Sequence, residues 1–64
     1  MRHTELWARL ESVLGTGYYE VWADRYVMAE LGSRTARQAL DAGYSPKEVW
    51  AAAWTALDLP ATLR

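Results

Sequence analysis

Glu20 and Asp24 stand four residues apart, a spacing that puts two carboxylates on the same face of a helix. Such a pair could move a proton or hold a metal, but either task needs further groups. The only histidine is His3, close to the N-terminus, and the 64 residues include no cysteine. The soft or imidazole ligands that usually complete a transition-metal site are therefore missing. Ser12, Ser33 and Ser45 likewise have no histidine in plausible reach to accept a hydroxyl proton. No catalytic residue, no metal ligand set and no cofactor is expected, and the chain reads as a non-enzyme.

Binding chemistry offers two candidate groups. Arg34 and Arg37, in Gly-Ser-Arg-Thr-Ala-Arg-Gln, lie at a helix start, where free N–H groups and the helix dipole attract anions. With Lys47 they form a candidate anion- or nucleic-acid-binding set. The plainer reading is a capped helix with solvated arginines, or an arginine bridging to a carboxylate on the preceding helix. Trp50 and Trp54, one helical turn apart, and Tyr44 form the second group, a candidate partner-binding set. Tryptophan is enriched at protein-binding hot spots. The competing reading is that Leu6, Leu10 and Leu14 of the first helix cover the tryptophan stripe as core.

Seven basic and eight acidic residues give a formal charge of −1, so the basic excess that drives general nucleic-acid binding is absent. Four tryptophans and four tyrosines with no phenylalanine mean that every ring carries a polar group needing water or a partner. The supply suffices for a small core and leaves rings over for a partner. No apolar run approaches the ~20 residues of a membrane span. A cytoplasmic monomer or weak homodimer is expected, and the arginine- and alanine-rich composition suggests a GC-rich genome.

Four helices must position these groups in a single domain. Leu6, Leu10, Val13 and Leu14 predict a helix over about 4–14 with Thr4 as N-cap, ended by Gly15-Thr16-Gly17. A second is expected over 18–31. Its apolar residues Tyr18, Val21, Trp22, Tyr26, Val27, Met28 and Leu31 cover so wide an arc that the helix should be central. Thr35 and Gln38 form a capping box for a third helix over 35–42. Ser45-Pro46-Lys47-Glu48 starts a fourth over 46–57 with a second box. Pro60 disfavours helix at Leu59, so the tail 59–64 is expected to be loose. The expected fold is all-α, a compact three-to-four-helix domain.

Ala39, Gly43, Tyr44 and Val49 fall where a helix-turn-helix wants a small residue, a turn glycine and two apolar residues, so the last two helices should meet in such a bend. The face that would read DNA does not follow. Ser45, Pro46, Lys47, Trp50, Ala51 and Trp54 offer a single lysine where base recognition wants Arg, Asn or Gln.

The residues also resemble a known family. Met1-Arg2, Thr4-Glu5 and Trp7 lead a pattern continued by Trp22-Ala23-Asp24, Leu31-Gly32, Arg34-Thr35, Ala39-Leu40, Ala42-Gly43, Lys47, Val49-Trp50, Ala52 and Asp58-Leu59-Pro60. This is similar to domain-of-unknown-function family 3046 over essentially the whole chain. The resemblance implies a small helical cytoplasmic protein from an actinobacterium, in a DNA-repair or recombination setting, with no assigned activity or ligand. Ala51 stands where the family commonly has an arginine, and Ser33 replaces a glycine. The leading expectation is a non-catalytic module that binds an unknown protein partner. The alternative is a weak nucleic-acid-binding, helix-turn-helix-like protein.

Overall fold

A computed structural model of the chain describes residues 1–63. Helix α1 runs His3–Leu14, α2 Tyr19–Arg25, α3 Ala36–Asp41 and α4 Pro46–Ala56. Short 3-10 turns at Ala29–Leu31 and Ala61–Leu63 complete the described residues. The fold is all-α, within 26 × 24 × 20 Å. Helix α1 packs on α2 and α4, α2 on α3, and α3 on α4. None of these helices is long and apolar enough to cross a membrane.

Side chains from every α-helix meet in one core. Leu6 and Leu10 from α1, Met28 and Leu31 from the segment after α2, and Val49 from α4 are its fully buried large residues. Burying each side chain of this kind contributes about 1.5–3 kcal/mol. Ala23, Ala36, Ala39, Ala52 and Ala53 are buried as well, and their small size lets the helix backbones approach. Trp7, Tyr19, Tyr44 and Trp54 pack around the edge of the core, half-buried.

The helix starts follow local chemistry unevenly. Thr35 accepts a hydrogen bond from the Gln38 N–H, and Gln38 Oε1 accepts one from the Thr35 N–H, which completes the expected capping box. Ser45 Oγ accepts from the Glu48 N–H with Pro46 in the first turn, but no return bond from Glu48 accompanies it. Helix α1 begins one residue before Thr4. Arg2 is its cap and makes no side-chain capping bond; the Leu6 N–H donates to the Arg2 carbonyl at 3.1 Å. The expected Thr4 cap is replaced by this earlier turn.

The largest departure is in the expected 18–31 helix. Helix α2 ends at Arg25, and Tyr26 is already extended, with φ −79° and ψ 118°. Met28 forms an isolated antiparallel bridge to Arg34. The Met28 N–H donates to the Arg34 carbonyl at 3.0 Å, and the Ser33 N–H donates to the Met28 carbonyl at 3.1 Å. Between them the chain turns back through residues 29–33, with Gly32 and Ser33 at φ 68° and 61°. This hairpin-like turn buries Met28 and Leu31 together, which a continued straight helix would carry away from α4. Tertiary burial outweighs the helical pattern here.

The tail also departs from expectation. Helix α4 stops at Ala56; the Leu59 N–H donates to the Trp54 carbonyl and the Asp58 N–H to that of Thr55. The indole N–H of Trp54 donates to the Pro60 carbonyl at 2.9 Å, holding the chain against α4. Residues 59–63 are therefore folded back rather than loose, and Arg64 lies outside the described residues.

Candidate protein-interaction surface

Trp50 is a core residue, 4% exposed, covered in part by α1, whose Arg9 guanidinium lies 5.5 Å from the ring centroid. Its role as a surface anchor is thereby corrected: the expected stripe is shielded, and Val49, Ala52 and Ala53 bury the same side of α4. Trp54 is half-buried and bonded to the tail, so its polar end already has a partner. Tyr44 is half-buried beneath Arg34, whose guanidinium carbon lies 5.7 Å from the phenol ring centroid.

Two of the three candidate cations make contacts within the fold. Arg37 pairs with Asp24 of α2 at 2.5 Å and also lies 4.9 Å from the centroid of the Trp7 ring. One guanidinium therefore ties α3 to both α2 and α1 through charge and cation–π attraction. Asp24 is engaged in the same contact. Arg34 donates to the Leu31 carbonyl at 3.2 Å. A Cβ at Gly32 would collide with the Arg34 Nη1, so the side chain lies across the turn it closes. Lys47 is exposed on α4, beside a cleft shared with Met1, Glu5, Arg9, Trp50 and Ala51. Arg34 and Arg37 thus brace the fold, while Lys47 lines a cleft on the α1–α4 side. Among the described residues no group of three or more His, Cys, Asp or Glu is placed to hold a metal ion.

A surface that the sequence pattern hid emerges on α2. Tyr18, Val21, Tyr26 and Val27 are 53%, 46%, 45% and 54% exposed. Tyr18, Val21 and Arg25 recur at helical spacing, and Trp22 and Tyr26 lie beside them. These five line a shallow cleft of about 210 Å³. The Trp22 and Tyr26 rings stack with centroids 5.2 Å apart and planes at 12°, so buried Trp22 forms a rigid base beneath exposed Tyr26. Arg25 makes no ion pair among the described residues. On the core side of the same helix, half-buried Tyr19 has its phenol pushed above the ordinary value, first by desolvation and then by the Glu20 and Glu11 carboxylates.

The signal for this surface was the apolar arc of the expected second helix. It was too wide for one buried stripe, and burial on two sides was only one way to account for it. The other way was that part of the arc stays in water.

The family model of DUF3046, described as a protein of unknown function, matches residues 1–62. No curated protein and no solved structure shows a match. By the extent of the match, which takes in every α-helix and the α2 surface, the chain belongs to the DUF3046 family.

Proposed function

We propose that this chain is a non-catalytic protein-interaction module and that it binds its partner through the α2 surface. The observation that carries this reading is the exposure of Tyr18, Val21, Tyr26 and Val27 beside a core that closes without Tyr18, Val21 and Val27. Contiguous exposed apolar groups rimmed by polar ones mark interaction sites. Tyrosine suits such a site, because it supplies broad contact area with few rotatable bonds to fix. The proposed place of action is the cytoplasm, and the DNA-repair or recombination setting implied by the family resemblance is where its partner is sought.

Nucleic-acid binding through a helix-turn-helix-like α3–α4 bend has less support. Arg34 and Arg37 are engaged within the fold, and the net charge is −1. Two measurements test the proposal. Duplex and single-stranded DNA added at low salt should leave the amide signals of residues 34–54 unmoved; saturable, salt-sensitive shifts there would support the nucleic-acid reading instead. A displayed library of random short peptides should yield binders to the folded chain, and these should be lost with the triple variant Tyr18→Ser, Val21→Thr, Val27→Thr. Failure to enrich any peptide, or equal binding to the triple variant, counts against the α2 surface.

A further inference from the structure

Beside the aromatic face, the chain leaves α2 as an extended segment with one side already used. Met28 directs its N–H to Arg34 and its carbonyl receives the N–H groups of Leu31 and Ser33. In extended chain the N–H and C=O of one residue point to one side, and those of the next residue point to the other. Val27 therefore turns its backbone donor and acceptor away from the Arg34 bridge. Neither group has a hydrogen-bond partner among the described residues, nor does the N–H of Ala29. Val27 and Ala29 are both exposed. Val27 and Met28 thus present a short, unpaired edge next to the Tyr18, Val21 and Tyr26 side chains, ended by the free N–H of Ala29 where the 3-10 turn begins.

We infer that the partner is a short segment of another protein, bound in extended conformation by strand addition to Val27 and Ala29. This inference rests on the α2 reading above and specifies its occupant. The segment supplies a carbonyl for the Val27 N–H, an N–H for the Val27 carbonyl, and a second carbonyl for Ala29. Main-chain bonds of this kind give affinity, and alternate side chains give specificity. The residues pointing toward α2 are apolar, because they meet Tyr26 stacked on Trp22, with Val21 beside it. A carboxylate flanks them, because Arg25 lines the same cleft and makes no ion pair among the described residues.

The dimensions favour a peptide over a second copy of this chain. Stable association of two globular surfaces takes roughly 800 Å² and about 20–30 residues from each side. Here the feature is one helix of seven residues, about 10 Å long, and the three residues 27–29. An extended peptide can follow that narrow line, whereas a second compact domain touches little of it.

The backbone itself provides the test. Tyr26 and Met28, which precede the two free N–H groups, are already extended at ψ 118° and 127°, the conformation that a following proline requires. Val27→Pro and Ala29→Pro each delete one free donor without breaking a bond of the fold. Circular dichroism and the thermal midpoint of each variant should match the unaltered chain. Peptides enriched from the random library should alternate apolar and acidic residues. In isotope-labelled protein they should shift the Val27 and Ala29 amide protons downfield. Either proline variant should weaken them about tenfold or more, with the peptide unable to complete its bonds. Arg25→Glu should select against acidic peptides.

Peptides that ignore both proline variants but still lose binding to the triple variant would overturn strand addition and leave the α2 face intact. No enrichment at all would sink both readings. A dimer in sedimentation equilibrium, abolished by Val27→Pro, would replace the peptide with a second copy. If one proline variant unfolds, the other decides.

Discussion

Trp50 sits on α4 with its ring beside the Arg9 guanidinium of α1. Its place one turn before Trp54 marks an aromatic stripe, and either burial or partner binding satisfies that pattern. The ring is in the core, yet its indole N–H is buried with no acceptor among the described residues. An orphaned donor of this kind costs roughly 1–3 kcal/mol in lost hydration. Trp50→Phe removes the donor while keeping most of the apolar volume, so its loss of stability should stay below about 1.5 kcal/mol. Trp50→Ala leaves a cavity against α1 and should cost about 3–5 kcal/mol. Urea unfolding of the two variants gives both numbers. A Trp50→Phe loss equal to that of Trp50→Ala would mean that the N–H has a partner after all. Residue types alone held no trace of this orphan, because accessibility of one nitrogen depends on how α1 lies across α4.

At the scale of elements, what could be read from the sequence was what is local. The capping box at Thr35, the Ser45-Pro46 start and the glycine stop at Gly43 are all set by residues within a turn of each other. The end of α2 was hidden because its cause lies outside the helix, in the pairing of Met28 with Arg34. The two helix ends at Gly43 and Asp58 are built alike. Tyr44 bonds back to the Ala39 carbonyl and Gly43 to Leu40; Leu59 bonds back to Trp54 and Asp58 to Thr55. Both are Schellman ends, which place one residue in a left-handed conformation. Gly43 takes φ 104° without strain, while Asp58 holds φ 53° with a side chain attached. Asp58→Gly should therefore stabilise the chain by up to about 1 kcal/mol, and Gly43→Ala should destabilise it by about 1 kcal/mol or more. For a domain of this size, 1 kcal/mol moves the melting midpoint by about 4–8 °C, well within the reach of a thermal scan. No contact within 4 Å awaits a Cβ at Gly43, so a loss there reports backbone conformation rather than crowding.

For the whole molecule, the question is why so small a chain leaves apolar groups in water. A domain of 64 residues has a net stability of only about 3–10 kcal/mol, so each core residue matters. Leu10→Ala alone should remove about 2–5 kcal/mol and depopulate the folded state in modest denaturant. The α2 face obeys a different rule. Tyr18, Val21 and Val27 lie outside the set of side chains packed on the core, so the fold does not depend on their apolar character. Exposed substitutions away from special backbone or bonding features usually change stability by less than about 0.5 kcal/mol. The triple variant Tyr18→Ser, Val21→Thr, Val27→Thr should accordingly unfold within about 1.5 kcal/mol of the unaltered chain, with the same helical circular dichroism. This outcome means that folding does not need the apolar face, which is the premise of the interaction reading. A loss of several kcal/mol would place these residues in the structural core of the free protein and remove that premise. The contrast with Leu10→Ala makes the comparison internal, because both variants share one unfolded chain and one denaturant scale.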